Sequence, residues 1–222
     1  MSGAPGNDSS GDTVVIAIDG PAGAGKSTVG RAVASRLGLA YLDTGAMYRA
    51  VTFAALRRGI DPADDDDVAV VADTIEMTLD GSSVMVDGVD ATVEIRGREV
   101  TAAVSAVAAN GRVRSELVRR QRSWVEARGG GVVEGRDIGS VVFPDATLKL
   151  FVTASPRVRA QRRVAEIGGD VAEVEASIIE RDRKDSTRDD SPLTETSDAV
   201  VVDTSGLSID EVVARVLELM PT

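Results

Sequence analysis

Residues 20–27 read Gly20-Pro21-Ala22-Gly23-Ala24-Gly25-Lys26-Ser27. They satisfy the pattern G-x-x-x-x-G-K-[ST] at every fixed position. The β-branched run before them, residues 13–18, predicts a buried strand. Val29, Val33 and Leu37 behind them share one face of a predicted helix ending near Gly38. Between a strand and a helix, such glycines let the backbone wrap a phosphate with its N–H groups pointing inward. The helix N-terminus adds partial positive charge. The loop Gly20, Pro21, Ala22, Gly23, Ala24, Gly25, Lys26, Ser27 and Thr28 is therefore the candidate triphosphate site. Lys26 would reach the β- and γ-phosphates, and Ser27 would ligate Mg2+. The rival dinucleotide pattern G-x-G-x-x-G needs glycine at 28 after Gly23 and Gly25, and Thr28 stands there.

Outward from this loop, strands and helices alternate. Residues 39–42 predict a second strand, and 47–58 a helix closed by Gly59 and Pro62. The acidic run at 64–67 is a solvated start for a helix over 68–75, because carboxylates favour a helix N-terminus. The period then changes. Residues 76–79, 83–86 and 92–95, punctuated by Asp80-Gly81 and Asp87-Gly88, predict short antiparallel strands. Residues 101–128 predict a helix with a basic face of Arg112, Arg114, Arg119, Arg120 and Arg122. Strands follow at 131–134 and 147–153. Pro156 opens a helix at its N1 position, 171–181 is helical again, and 182–188 continues as a charged loop. A fifth strand at 199–202 and a helix at 209–219 end the pattern. The fold class is α/β, a five-stranded parallel sheet with helices on both faces. A small β-containing insert spans about residues 76–104. Residues 1–12, rich in Gly, Ser and Asp, are expected to be a disordered tail, with one domain over 13–222.

Composition limits the chemistry. The 222 residues include no cysteine and no histidine, which excludes disulfides, thiolate metal sites, Ser-His-Asp triads and imidazole catalysis. The net charge is −11, a poor match to nucleic acid. Residues 112–188 nevertheless carry 16 basic and 12 acidic side chains, and 22 of the chain's 25 basic residues are Arg. Arginine's planar fork suits phosphate. The longest apolar run near the start, residues 14–18, is too short to cross a membrane. No Lys or Arg precedes Lys26, so a cytoplasmic location without a secretory leader is expected.

Three segments supply a second anion site. Asp43-Thr44-Gly45-Ala46-Met47-Tyr48-Arg49 follows the second strand, at the carboxyl edge where open α/β sheets bind ligands. Gly135-Arg136-Asp137 follows the third strand on the same edge. Arg181-Asp182-Arg183-Lys184-Asp185-Ser186-Thr187-Arg188 brings further charge. Gly131-Val132-Val133-Glu134 is an apolar strand ending in a carboxylate, as in switch and motor NTPases. No guanine-reading N-K-x-D motif exists, which argues against a GTPase switch.

Through these segments the chain resembles the bacterial cytidylate kinases, a branch of the P-loop nucleoside monophosphate kinases. The matching stretches are residues 19–28 (DGPAGAGKST), 42–49 (LDTGAMYR), 112–122 (RVRSELVRRQR), 134–146 (EGRDIGSVVFPDA), 180–193 (ERDRKDSTRDDSPL) and 198–208 (DAVVVDTSGLS). The resemblance covers nearly all of the chain from residue 13 onward. It implies transfer of the ATP γ-phosphoryl group to CMP or dCMP, with Mg2+, by a cytoplasmic monomer that binds neither nucleic acid nor membrane. ATP would lie on the loop 20–28 and the acceptor between insert and core. Ser105, Arg114 and Asp137 fall on cytosine-reading positions, and Asp185 on the position that holds the sugar. Arg49, Arg136, Arg181 and Arg188 fall near the acceptor phosphate or the transferred group. Asp43 and Thr44 belong to the same acceptor site. Arg157, Arg159, Arg162 and Arg163 resemble a mobile lid over about residues 156–170. Thr44 replaces a frequent Ser and keeps the hydroxyl; Glu134 replaces the Asp of some members and keeps the charge.

Such chemistry needs no histidine. A phosphate monoester has a second pKa of about 6 and is mostly a dianion at neutral pH, so no general base is required. Phosphoryl transfer then rests on positioning and charge neutralisation in a dry site. Two alternatives stay open on the residues: another P-loop small-molecule kinase, and a non-catalytic nucleotide-binding module.

Overall fold

The computed structural model describes residues 13–81, 83–188 and 190–220; the expected tail at 1–12 lies outside the described residues. In chain order the strands are β1 (Val14–Asp19), β2 (Tyr41–Asp43), β3 (Met77–Asp80), β4 (Ser83–Val86), β5 (Val89–Asp90), β6 (Gly130–Glu134), β7 (Leu148–Thr153) and β8 (Val200–Asp203). The helices are α1 (Lys26–Leu37), α2 (Thr44–Arg57), α3 (Asp65–Thr74), α4 (Arg98–Ala109), α5 (Gly111–Glu126), α6 (Pro156–Ile167), α7 (Val171–Thr187) and α8 (Ile209–Glu218). The main sheet runs β2-β6-β1-β7-β8 with all pairs parallel. A separate antiparallel sheet runs β3-β4-β5.

The central strand β1 explains the layering. Its side chains alternate between faces. Val15 and Ala17 enter one core with Val51 of α2, Val71 of α3, Val107 of α4 and Leu117 of α5. Ile16 and Ile18 enter the other with Val33 of α1 and Val216 of α8. Both faces are thus covered, which is why β1 reads as an unbroken apolar run. Val84 and Val86 of the small sheet join the first core, so the insert is anchored on the same apolar mass as the main sheet.

Four local expectations change, each for a visible reason. The helix after β2 starts at Thr44, not 47, because the Asp43 carboxylate accepts a hydrogen bond from Ala46 N at 3.0 Å and caps it. Residues 92–95 are not a strand: Asp90 Oδ1 accepts from Thr92 N at 3.0 Å and Thr92 Oγ1 at 2.6 Å, turning the chain into a 3-10 turn over Glu94–Arg96. The stretch 101–128 is two helices, since Asn110 Oδ1 accepts from Arg112 N and Val113 N and caps α5. Residues 182–187 are not a loop but the last turns of α7, where Glu180 pairs with Arg183 and Lys184 one turn on.

No helix among the described residues is long and apolar enough to cross a membrane.

Candidate active site

The strands β1, β2 and β6 all end in a carboxylate at the same edge of the sheet: Asp19, Asp43 and Glu134. The phosphate loop leaves β1 there. Gly20 has φ +141° and passes so close to β7 that a Cβ would lie 1.9 Å from Val152 O, so only glycine fits. Gly25, at φ 91°, precedes α1 in the left-handed region. The loop therefore opens directly onto a helix N-terminus.

Lys26 is buried and its Nζ donates to Pro21 O at 2.9 Å. Burial, reinforced by the nearby Arg136 charge, pushes its pKa down to about 7, against the pull of Glu134, Asp19 and Asp43. Ser27 Oγ donates to Glu134 Oε1 at 2.7 Å. Burial raises the Glu134 carboxyl, with Asp43 adding to the rise. Its second oxygen, Oε2, is buried without a hydrogen-bond partner. Thr44 Oγ1 donates to Glu134 O at 2.6 Å, fixing the start of α2 against β6. Asp19 accepts from Ile138 N at 2.8 Å and Gly139 N at 2.7 Å; burial raises its pKa to about 6.

Beside this centre lies the arginine pocket. Arg114 of α5 forms a buried ion pair with Asp137 and sits over the Tyr48 ring at 5.7 Å. Arg188 Nη2 reaches Asp137 Oδ1 at 3.9 Å. Burial raises the Asp137 carboxyl while Arg114 and Arg188 oppose the rise. Arg136 Nε donates to Asp185 Oδ2 at 2.9 Å. Arg49 donates to Ile95 O and Thr101 Oγ1, both at 2.9 Å. Burial and then Arg181 push the Arg49 guanidinium down to about 10. Burial and then Arg136 lower Arg181 in turn. Arg181 Nε is buried without a partner. Arg181 thus lies within the field of both Arg49 and Arg136, with Asp43, Asp182 and Asp185 as the nearby acids. Asp43 is occupied by capping α2, with Arg96 at 3.4 Å. Ser105, half-buried on α4, makes no hydrogen bond to Arg114 or Asp137.

The four arginines of α6 divide into two kinds. Arg159 is buried and donates to Ala22 O at 3.0 Å, Ala154 O at 2.9 Å and Asp182 Oδ2 at 2.6 Å. Arg162 donates to Thr204 Oγ1 at 3.0 Å and Thr204 O at 2.7 Å. Thr204 Oγ1 in turn donates to Ala24 O at 2.9 Å. These two hold α6 to the phosphate loop. Arg157 and Arg163 pair with Glu175 and Glu166 at the surface.

Asp19, Asp182 and Thr204 lie outside the candidates that the sequence offers. The signal for Asp19 was present: an apolar strand ending in a carboxylate, the same signal that marked Glu134. Asp182 and Thr204 lay in charged or polar runs that carried no such mark.

Against known proteins, the cytidylate kinase family model matches residues 16–222. The chain belongs to the cytidylate kinase family. It is 49% identical over 215 residues to a cytidylate kinase of Corynebacterium efficiens, covering 93% of this chain and 94% of that one. It is 50% identical over 216 residues to a bifunctional pantoate ligase/cytidylate kinase of Prochlorococcus marinus, covering 92% of this chain. The chain spans only 44% of that longer relative's length. Among solved structures, a gluconokinase from Sinorhizobium meliloti superposes with a TM-score of 0.51 at 16% identity, covering 93% of this chain and 91% of that one. That likeness concerns the fold alone.

Proposed function

We propose that the chain transfers the γ-phosphoryl group of Mg-ATP to CMP or dCMP, giving ADP and CDP or dCDP. The observation that carries this is the pairing of two anion sites on one sheet edge. A phosphate loop with buried Lys26 stands beside a cluster of Arg49, Arg136 and Arg181 in which the Arg181 Nε donor is unpartnered. A hydrolase needs one such site and a positioned water; a transferase between two phosphorylated molecules needs both.

In this reading the backbone N–H groups of residues 20–28 and Lys26 hold the ATP phosphates. Arg49, Arg136, Arg181 and Arg188 hold the acceptor phosphate, and Asp185 the sugar. Arg114 and Asp137 face the base, with Ser105, Asp43 and Thr44 completing the acceptor wall. An acceptor phosphate oxygen attacks the γ-phosphorus, the bond to the β–γ bridging oxygen breaks, and ADP leaves. The acceptor is already a dianion, so no side chain takes a proton. The arginines neutralise charge spread over the transferred group. Closure of α6 and of the insert at about 76–104 excludes the water that would otherwise hydrolyse ATP.

Mg2+ fits the donor set. Ser27 Oγ and the free Oε2 of Glu134 are hard oxygens beside the phosphate loop. The described residues contain no group of three acidic side chains able to hold a metal alone, so the ion would take its remaining ligands from phosphates and water. When bound it neutralises phosphate charge and orients the triphosphate.

The chain is read as a cytoplasmic monomer that binds neither nucleic acid nor membrane; its net charge of −11 supports the second point for nucleic acid. The test is direct: Mg-ATP with CMP is expected to yield ADP and CDP. ADP formation no greater than in an acceptor-free control would favour a binding module instead.

A further inference from the structure

The turn that follows β6 is built in an unusual way. Asp137 occupies the cap position of a single π-helical turn, Ile138–Val142, yet its side chain caps nothing. An Asp at a helix start ordinarily accepts the first free N–H groups itself. Here those N–H groups go elsewhere. Ile138 N donates to Asp19 Oδ1 at 2.8 Å and Gly139 N to Asp19 Oδ2 at 2.7 Å, one to each oxygen. The turn then closes through Val142 N to Asp137 O at 3.2 Å and Phe143 N to Ile138 O at 2.7 Å. Asp19 lies 119 and 120 residues away in sequence, on the last position of β1.

We infer that Asp19 is a positioning residue for acceptor selectivity, capping the turn from β1 so that the Asp137 carboxylate is free to read the base. The inference rests on the acceptor site proposed above and assigns a role to a residue outside it. With Asp19 in place, both Asp137 oxygens turn away from the backbone, toward Arg114 and Arg188. Without it, two buried N–H groups need an acceptor, and the nearest carboxylate at a capping position is Asp137 itself. Capping its own turn would withdraw it from the base. Burial of Asp19 raises its pKa; a carboxylate held in so dry a place needs those two donors. Asp19 is also joined directly to Gly20, but its side-chain hydrogen bonds go to the acceptor turn and none to the donor loop.

A competing role is as a charge partner for Lys26, which lies close enough to interact. Asp19→Asn separates the two. The amide still fills the space but offers one acceptor oxygen and sets an N–H2 against the other backbone N–H. Equilibrium affinities for CMP, UMP and a non-hydrolysable ATP analogue are measured on wild type and variant. Hydrogen bonds to a charged group are worth enough that CMP affinity is expected to fall about tenfold, with the CMP:UMP ratio narrowing by a similar factor. ATP-analogue affinity is expected to stay within about threefold, as for a separate site. An unchanged CMP:UMP ratio, or an equal loss for CMP and the ATP analogue, overturns the inference. A wild type that itself does not prefer CMP to UMP overturns it together with the acceptor reading. Amide hydrogen exchange on the wild type gives a check that needs no variant. Ile138 and Gly139 N–H are expected to exchange slowly without ligand, and fast exchange at both contradicts the clamp.

Discussion

Arg114 and Asp137 form a buried ion pair at the carboxyl edge of the sheet, their side chains only 3% and 7% exposed. They arrive from different elements, α5 and the turn after β6, 23 residues apart. Neither charge is stable alone in so dry a place, and removing one partner strands the other. Side by side they present a donor-only and an acceptor-only group. That is the polarity of the cytosine edge in mirror image: an amino donor beside N3 and O2 acceptors. Uracil offers the reverse at two of these three positions.

Asp137→Asn is the sharpest probe of that match. Its amide can turn an N–H2 toward the uracil O4, so activity should fall more on CMP than on UMP. A mismatched polar edge costs roughly 1–3 kcal/mol, so the ratio of kcat/KM values should shrink about tenfold or more. The variant keeps the volume of Asp137, and thermal melting checks that it folds. An unchanged ratio means that Asp137 does not read the base.

Lys26→Ala removes a positive charge from phosphates that gain charge during transfer. A loss in kcat of at least about a hundredfold is expected, the scale of a lost oxyanion donor. The fold should survive, since Lys26 Nζ is tied only to Pro21 O of its own loop. Steady-state kinetics decide the point, and near-wild-type turnover is incompatible with the phosphate-loop assignment.

The depressed Lys26 pKa has a pH signature with a defined sign. An unfolded chain holds this proton to its ordinary value of 10.5, whereas the folded, ligand-free protein releases it near about 7. Unfolding therefore takes up a proton between these values, and stability rises with pH across that window. Lys26→Met should melt above wild type at pH 6.5, with the gap narrowing as pH approaches 10. Calorimetric melts at several pH values test this; a gap independent of pH rules it out. Triphosphate should restore the charge, so wild type should take up a proton on binding ATP at pH 8 and Lys26→Met should not.

Motion should concentrate in α6 and in the insert. Arg157 pairs only with the half-buried Glu175 and Arg163 only with the exposed Glu166, and the arginines at the foot of the insert repel one another until an anion arrives. Hydrogen exchange with and without an ATP analogue plus CMP should show new protection in residues 156–170 and 76–104. Protection that leaves both segments unchanged would argue against closure. Arg159 and Arg162 should be the fixed root of the moving helix, because they already hold the loop through Ala22 O and Thr204.

What was legible in the sequence was whatever depends on near neighbours. The phosphate loop declares itself because glycines, Lys26 and Ser27 must stand at fixed spacing between a strand and a helix. The parallel sheet follows from β-branched runs such as Val14–Asp19, buried on both faces. The resemblance marked the arginines because they lie in compact motifs. The extension of α7 to Thr187 stayed hidden because its last turns are held by pairs such as Glu180–Arg183 rather than by an apolar stripe. The helix break at Asn110 is not legible in the sequence, because a single polar residue in a helical stretch shows its capping role only through the hydrogen bonds its carboxamide makes to the start of α5. Asp19 is marked by its place at the end of an apolar strand, but its two backbone donors are not, since only the fold brings β1 to the turn after β6.

The account stands most directly on one assay: ADP formation from Mg-ATP with CMP, dCMP, UMP, AMP or GMP as sole acceptor. Rapid turnover is expected with CMP or dCMP, and a kcat/KM for UMP lower by about two to four orders of magnitude, since unpaired polar groups in a buried site reject the wrong edge. A preference for AMP, GMP or UMP, or no ADP beyond the acceptor-free control, would contradict it.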